Sequence, residues 1–121
     1  MKSFEFKFVT PEKLSKVELK VFEQRSRIAA LIGGLPKKVK TSKISETMRP
    51  DFMTGYTPHG LWQESSGTIT ILREQLKSLP EFAGTLLHEI AHAKTGYVDV
   101  SRDFENALTD MIGHLAASTL G

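Results

Sequence analysis

The sequence predicts a small α+β domain: a backing helix, a three- or four-stranded mostly antiparallel sheet, and two further helices. Two observations carry this. The segments Phe4-Glu-Phe-Lys-Phe8 and Thr68-Ile-Thr-Ile-Leu72 have strand patterning, whereas residues 11–32, 78–94 and 101–115 repeat apolar residues at helical spacing. A third concerns size, since 121 residues suit one hydrophobic core and crowd two, so 1–121 reads as a single domain.

Each element has its own signal. Phe4, Phe6 and Phe8 alternate with Glu5 and Lys7, as in a strand with one buried face. Thr10-Pro11-Glu12 reads as a helix start: a hydroxyl cap, Pro in the first turn, then an acid. Leu14, Val17, Val21, Ile28 and Ile32 follow at helical spacing until Gly33-Gly34 and Pro36, which predicts one helix over 11–32. Residues 38–47 are polar with β-branched Val39, Thr41 and Ile44, a solvent-edged strand. Pro50, Gly55, Pro58 and Gly60 make Met48 to Gly60 a loop. Leu61-Trp62-Gln63 and Thr68–Leu72 flank Ser65-Ser66-Gly67 and read as a hairpin. Ser78-Leu-Pro-Glu81 matches a capping box, opening a helix that Gly96 ends. Ser101 is expected to cap the last helix, with Asp103 near its positive end.

Composition excludes several classes. Hydrophobic residues are 40% and charged residues 25%, which rules out disorder and coiled coil. The apolar run Ile28–Ile32 is far short of the roughly 20 residues that span a bilayer, so no membrane role is expected. Sixteen Lys and Arg against 14 Asp and Glu leave a net charge of +2, which argues against nucleic acid as a partner. The absence of cysteine excludes disulfides, thiol catalysis and thiolate metal sites. The N-terminus has no uninterrupted apolar stretch of the signal-peptide kind, so the expected location is cytoplasmic.

The motif with chemistry is His88-Glu89-Ile90-Ala91-His92, inside the third predicted helix. Histidines four apart share a helical face and can both point at one Zn2+. Glu89 directly follows the first ligand and can reach a water at the open coordination position. Zinc lowers that water's pKa to roughly 7, and the glutamate can take its proton as general base. Gly84, Ala91 and Thr95 are small and near the same face, leaving room for a metal and a facing element. Roughly one sequence of this composition in a hundred carries the pattern by chance.

Two residues compete for third ligand. Glu105 lies on the last helix, where Phe104, Leu108, Met111 and Leu115 pack inward and Glu105 shares a face with Leu108 and Ile112. An acid on a half-apolar face is costly unless it meets a cation, and a metal supplies one. Asp99, in the Gly96-Tyr-Val-Asp99 turn, is the rival, though loop aspartates are more often turn residues.

The HExxH segment His88–His92, followed on the next helix by Phe104-Glu-Asn-Ala-Leu-Thr-Asp-Met-Ile-Gly113, resembles gluzincin metallopeptidases in their compact minigluzincin form. The resemblance covers residues 60–115 and implies a zincin-like fold with an active-site helix and a glutamate helix. It implies His88, His92 and Glu105 as metal ligands and Glu89 as the general base. Gly84–Ala93 with Phe104-Glu105 is also similar to peptidase-like domains attached to Hsp90-type ATPases in bacteria. Two departures stand out. Many gluzincins place a ligand-orienting aspartate four residues after the ligand glutamate, where this chain has Thr109, with Asp110 one later. Metzincins place Gly and a ligand three and six residues after the second His, where Gly96 and Asp99 come at four and seven.

The electrophile for a tetrahedral intermediate has three candidates: Tyr97, His59 and His114. The lysines of Lys37–Lys43 read as edge-strand protection before phosphate contacts, and Trp62 reads as core. Thr68–Leu72 carries no Pro or charge and is expected to rim the cleft, where an extended peptide could add as a strand. The expected function is zinc-dependent hydrolysis of peptide bonds in a peptide or protein substrate. The alternatives are a catalytically silent zinc-bound interaction or regulatory domain of a larger protein, with a parent chain or activating partner, and a nucleic-acid-binding domain with a structural metal.

Overall fold

The computed structural model describes residues 4–50, 53, 55–96 and 102–120, with the side chains of Arg102, Asp103 and Glu105 outside that description. It is an α+β fold in which helices cover one face of a four-stranded sheet. In chain order the strands are β1 (Phe8–Val9), β2 (Thr41–Ser45), β3 (Gly60–Gln63) and β4 (Thr68–Leu72). Their spatial order is β1-β2-β4-β3. β1 with β2 and β3 with β4 are antiparallel, as expected, while β2 and β4 run parallel with Thr41 opposite Thr68. The sheet is therefore mixed. A parallel pair needs a long crossover, and residues 46–67, including β3, supply it.

This order overturns two sequence expectations. Residues 41–45 are not at an edge, because β1 and β4 flank them. β4 is not the rim: it is paired on both sides, and the edge strands are β1 and β3, with β3 beside α3. Periodicity reports which faces of a strand are buried but not which neighbours it pairs with. The four buried residues Thr68–Ile71 mark a central strand.

The predicted helix over 11–32 is three pieces. Pro11–Lys13 forms a single 3-10 turn, then α1 (Lys16–Phe22) and α2 (Arg25–Leu31) follow. Ser15 restarts the helix through a capping box: its hydroxyl accepts from the Glu18 N–H, and the Glu18 carboxylate accepts from the Ser15 N–H. The restart turns the stripe, so Phe22 is buried while Val17 is 64% exposed. Glu18 also takes two hydrogen bonds at 2.9 Å from the Arg73 guanidinium, whose third nitrogen donates to Glu46 at 2.7 Å. That fork ties α1 to the end of β2 and to the 3-10 segment Arg73–Lys77.

α3 (Leu79–Thr95) begins where expected. The Ser78 hydroxyl accepts from the Glu81 N–H, but the Glu81 carboxylate turns to Lys77 instead of completing the box. Gly96 ends the helix with φ +74°, a left-handed geometry that glycine adopts without strain. α3 buries Phe82, Leu86, Ile90 and Ala93 against Ile44, Ile69 and Ile71 of the sheet and Phe22 and Ile28 of α1 and α2. α4 (Arg102–Leu120) packs on α3 through Phe104 and Met111, while Ile112, expected on the Glu105 face, is exposed. The predicted Ser101 cap lies outside the described residues. No helix among the described residues is long and apolar enough to cross a membrane.

Candidate metal centre

α3 sets the chemistry by its pitch. Its core stripe of Phe82, Leu86, Ile90 and Ala93 turns His88 and His92 toward the opposite side, where a cleft of about 500 Å³ opens between α3 and β3. The two Nε2 atoms are 3.2 Å apart, and the candidate ligand atoms of His88, Glu89 and His92 all lie within 4.8 Å of one another. Two imidazoles on a tetrahedral zinc, with bonds of about 2.0–2.1 Å, stand about 3.3–3.4 Å apart. The pair is thus spaced to chelate, and the donor set suits zinc. Without an ion, the same distance is a hydrogen bond between one protonated and one bare ring nitrogen.

Phe104 holds the two rings in place. It stacks on His92 with centroids 4.4 Å apart and meets His88 edge-on at 5.1 Å. Burial lowers the His88 pKa, and the neighbouring His92 lowers it further, so the neutral, ligand form is favoured. Glu89 is only 6% exposed. Burial pushes its carboxyl up to about 7, and a hydrogen bond from the Trp62 backbone N–H draws it partly back. A cation in the cleft would favour the carboxylate and offset the burial penalty.

The sequence-predicted residues divide clearly. The structure brings His88, Glu89 and His92 together and places His59 in the same cleft wall, near Tyr56. His114 is not in that wall; it sits 3.5 Å from Asp110 on the exposed side of α4, so neither residue reaches the histidine pair. Ala91 lies in the core and not on the metal face, and the Thr95 hydroxyl bonds back to the Ala91 carbonyl. Gly84 does border the cleft, with open space where a Cβ would stand. Tyr97, Asp99 and the Glu105 side chain lie outside the described residues. Glu105 directly follows Phe104, the residue that contacts both histidines.

Sequence reasoning missed three participants. Trp62 packs against the core, as expected, but it also lines the cleft, with its indole N–H bonded to Glu64 at 2.8 Å. Thr85, one turn before Glu89, donates to the buried Gln75 at 2.8 Å and so ties the cleft wall to the 3-10 segment. Gly60 reads from the sequence as the end of a loop, whereas it enters β3, where a glycine also marks a close approach. The lysines do not guard an edge, because β2 is flanked by β1 and β4; Lys38 instead pairs with Glu64, and Lys43 covers the Phe8 ring. Compared with protein-family models, curated proteins and solved structures, the chain matches none.

Proposed function

We propose that this protein is a zinc-dependent metallopeptidase, with the cleft between α3 and β3 as its active site. The observation that carries the reading is a chelating pair, Nε2 to Nε2 at 3.2 Å, beside a buried carboxyl in the same cleft. His88 and His92 would hold the ion, with Glu105 as the third ligand that the gluzincin resemblance implies. When bound, zinc supplies a Lewis acid that acidifies water and polarises a carbonyl.

The chain's own residues do the rest. Glu89 accepts the proton of the attacking water as the C–O bond forms, then returns it to the departing amine nitrogen as the C–N bond breaks. Burial raises its carboxyl while a cation in the cleft would lower it again, and these opposed effects suit a group that takes and gives the same proton. His59 and Tyr56, in the cleft wall, are the groups available to polarise the substrate carbonyl. The edge strand β3, not β4, is where an extended peptide could add, through the outward main-chain groups that Glu89 leaves open.

The test pairs elemental analysis with a broad peptide screen on the wild type and Glu89→Gln. The expected result is about one zinc per chain in both, with hydrolysis only in the wild type. Zinc without cleavage in the wild type would favour an interaction domain. Zinc lost from Glu105→Ala but kept in Asp99→Ala supports the ligand set, and the opposite pattern makes Asp99 the ligand.

A further inference from the structure

β3 is an edge strand, and its backbone alternates between the sheet and the free side. The Leu72 N–H donates to the His59 carbonyl at 2.8 Å, and the register continues as Gly60 opposite Ile71, Leu61 opposite Thr70, and Trp62 opposite Ile69. In an antiparallel ladder bonded pairs alternate, so His59 and Leu61 turn their N–H and C=O groups to β4 while Gly60 and Trp62 turn theirs outward. An outward N–H on an edge strand ordinarily meets water. That of Trp62 draws the Glu89 carboxyl down instead, and Glu89 Oε2 stands against this same edge, 3.2 Å from where a Gly60 Cβ would lie.

Gly60 makes the approach feasible. A Cβ there would stand 2.9 Å from Thr85 Cγ2, 3.0 Å from Glu89 Cγ and 3.2 Å from Glu89 Oε2. The first two distances are too short for carbon atoms, so any side chain at 60 must displace Thr85, Glu89 or the strand. Gly60 does not carry a left-handed φ. Its absent side chain is explained by this contact and not by a turn.

We propose that Gly60 and Trp62 are positioning residues for Glu89: the bare Cα of Gly60 lets the β3 edge close on the carboxylate, and the Trp62 N–H fixes its orientation. The assignment of a purpose rests on the peptidase reading, but the contact itself is testable without any substrate. The first measurement is amide hydrogen exchange of zinc-loaded protein. Trp62 should be protected in the wild type and in Glu89→Gln, whose amide oxygen still accepts. It should exchange about tenfold faster or more in Glu89→Ala, with Thr70 and Leu72 unchanged.

The second measurement uses Gly60→Ala in a Thr85→Ser background, which removes the methyl at 2.9 Å and keeps the hydroxyl that bonds Gln75. This variant should retain zinc, lose Trp62 protection, and lower kcat by about 100-fold with KM unchanged, the scale of an ångström-sized misplacement. Adding Glu89→Ala should recover the thermal stability that Gly60→Ala removes. If Gly60→Ala fails to fold in the Thr85→Ser background, the Glu89→Ala addition should restore folding, and failure there too overturns the proposal. Equal Trp62 exchange in wild type and Glu89→Ala, or normal kcat in Gly60→Ala, also overturns it. A wild type that cleaves nothing refutes the peptidase reading, while the exchange and stability results still decide the contact.

Discussion

Replacing Glu89 by Gln should change how the metal-free protein responds to pH. Glu89 is 6% exposed, and its carboxyl is raised from 4.5 to about 7. In the unfolded chain the group loses its proton near 4.5, whereas the folded protein holds it until about 7. The folded state therefore binds more protons across that window. Its stability is greatest below 4.5 and falls as pH rises, the loss being complete above about 7. At about 1.4 kcal/mol per pH unit, the window corresponds to roughly 3 kcal/mol. Gln is neutral at every pH and its side-chain oxygen can still accept from the Trp62 N–H, so the variant should lack this decline. Urea denaturation of both proteins in chelator at pH 5 and pH 8 measures it. Every other group is common to both, so the difference between the proteins isolates Glu89. The variant should be the more stable protein at pH 8, and identical pH dependence in the two would refute the buried-carboxyl argument.

Four further outcomes follow from other parts of the fold. His88→Ala and His92→Ala should each bring zinc content from about one per chain to none, by elemental analysis of folded protein. The Arg73 fork holds the Glu18 carboxyl down to about 2, so its stabilisation is present above 4.5 and lost as pH falls through about 2; Glu18→Gln should cost about 1–2 kcal/mol at pH 7 and flatten the acid-side loss seen by denaturation. Thr70 is fully buried, and its hydroxyl has no hydrogen-bond partner among the described residues, so Thr70→Val should gain about 1 kcal/mol and raise Tm. Proline at Ile69, Thr70 or Ile71 should unfold the domain, by circular dichroism, because β4 is bonded on both sides.

Local signals determined much of this protein. The spacing of His88 and His92 and the helical period around them suffice to put two imidazoles on one face. Ser78, Pro80 and Gly96 bound that helix by the chemistry of its ends, and the β-branched stretch Ile69-Thr70-Ile71 names the strand beneath it. Such features depend on residues within a turn or two of each other, and the order of the chain displays them directly. What lay beyond reach depended on pairing across distance. No local pattern says that β4 enters between β2 and β3 and leaves β3 at the edge. The 3-10 turn and restart at Ser15 were legible as Ser15-x-x-Glu18, but the longer apolar period masked them. Arg73 meeting Glu18 across 55 positions, and Gly60 meeting Glu89 across 29, arise only once the sheet and α3 are packed. The sequence by itself decided which groups could bind a metal and move a proton; tertiary packing decided which backbone stands against Glu89, because that contact is made by a strand edge whose position only the completed sheet defines.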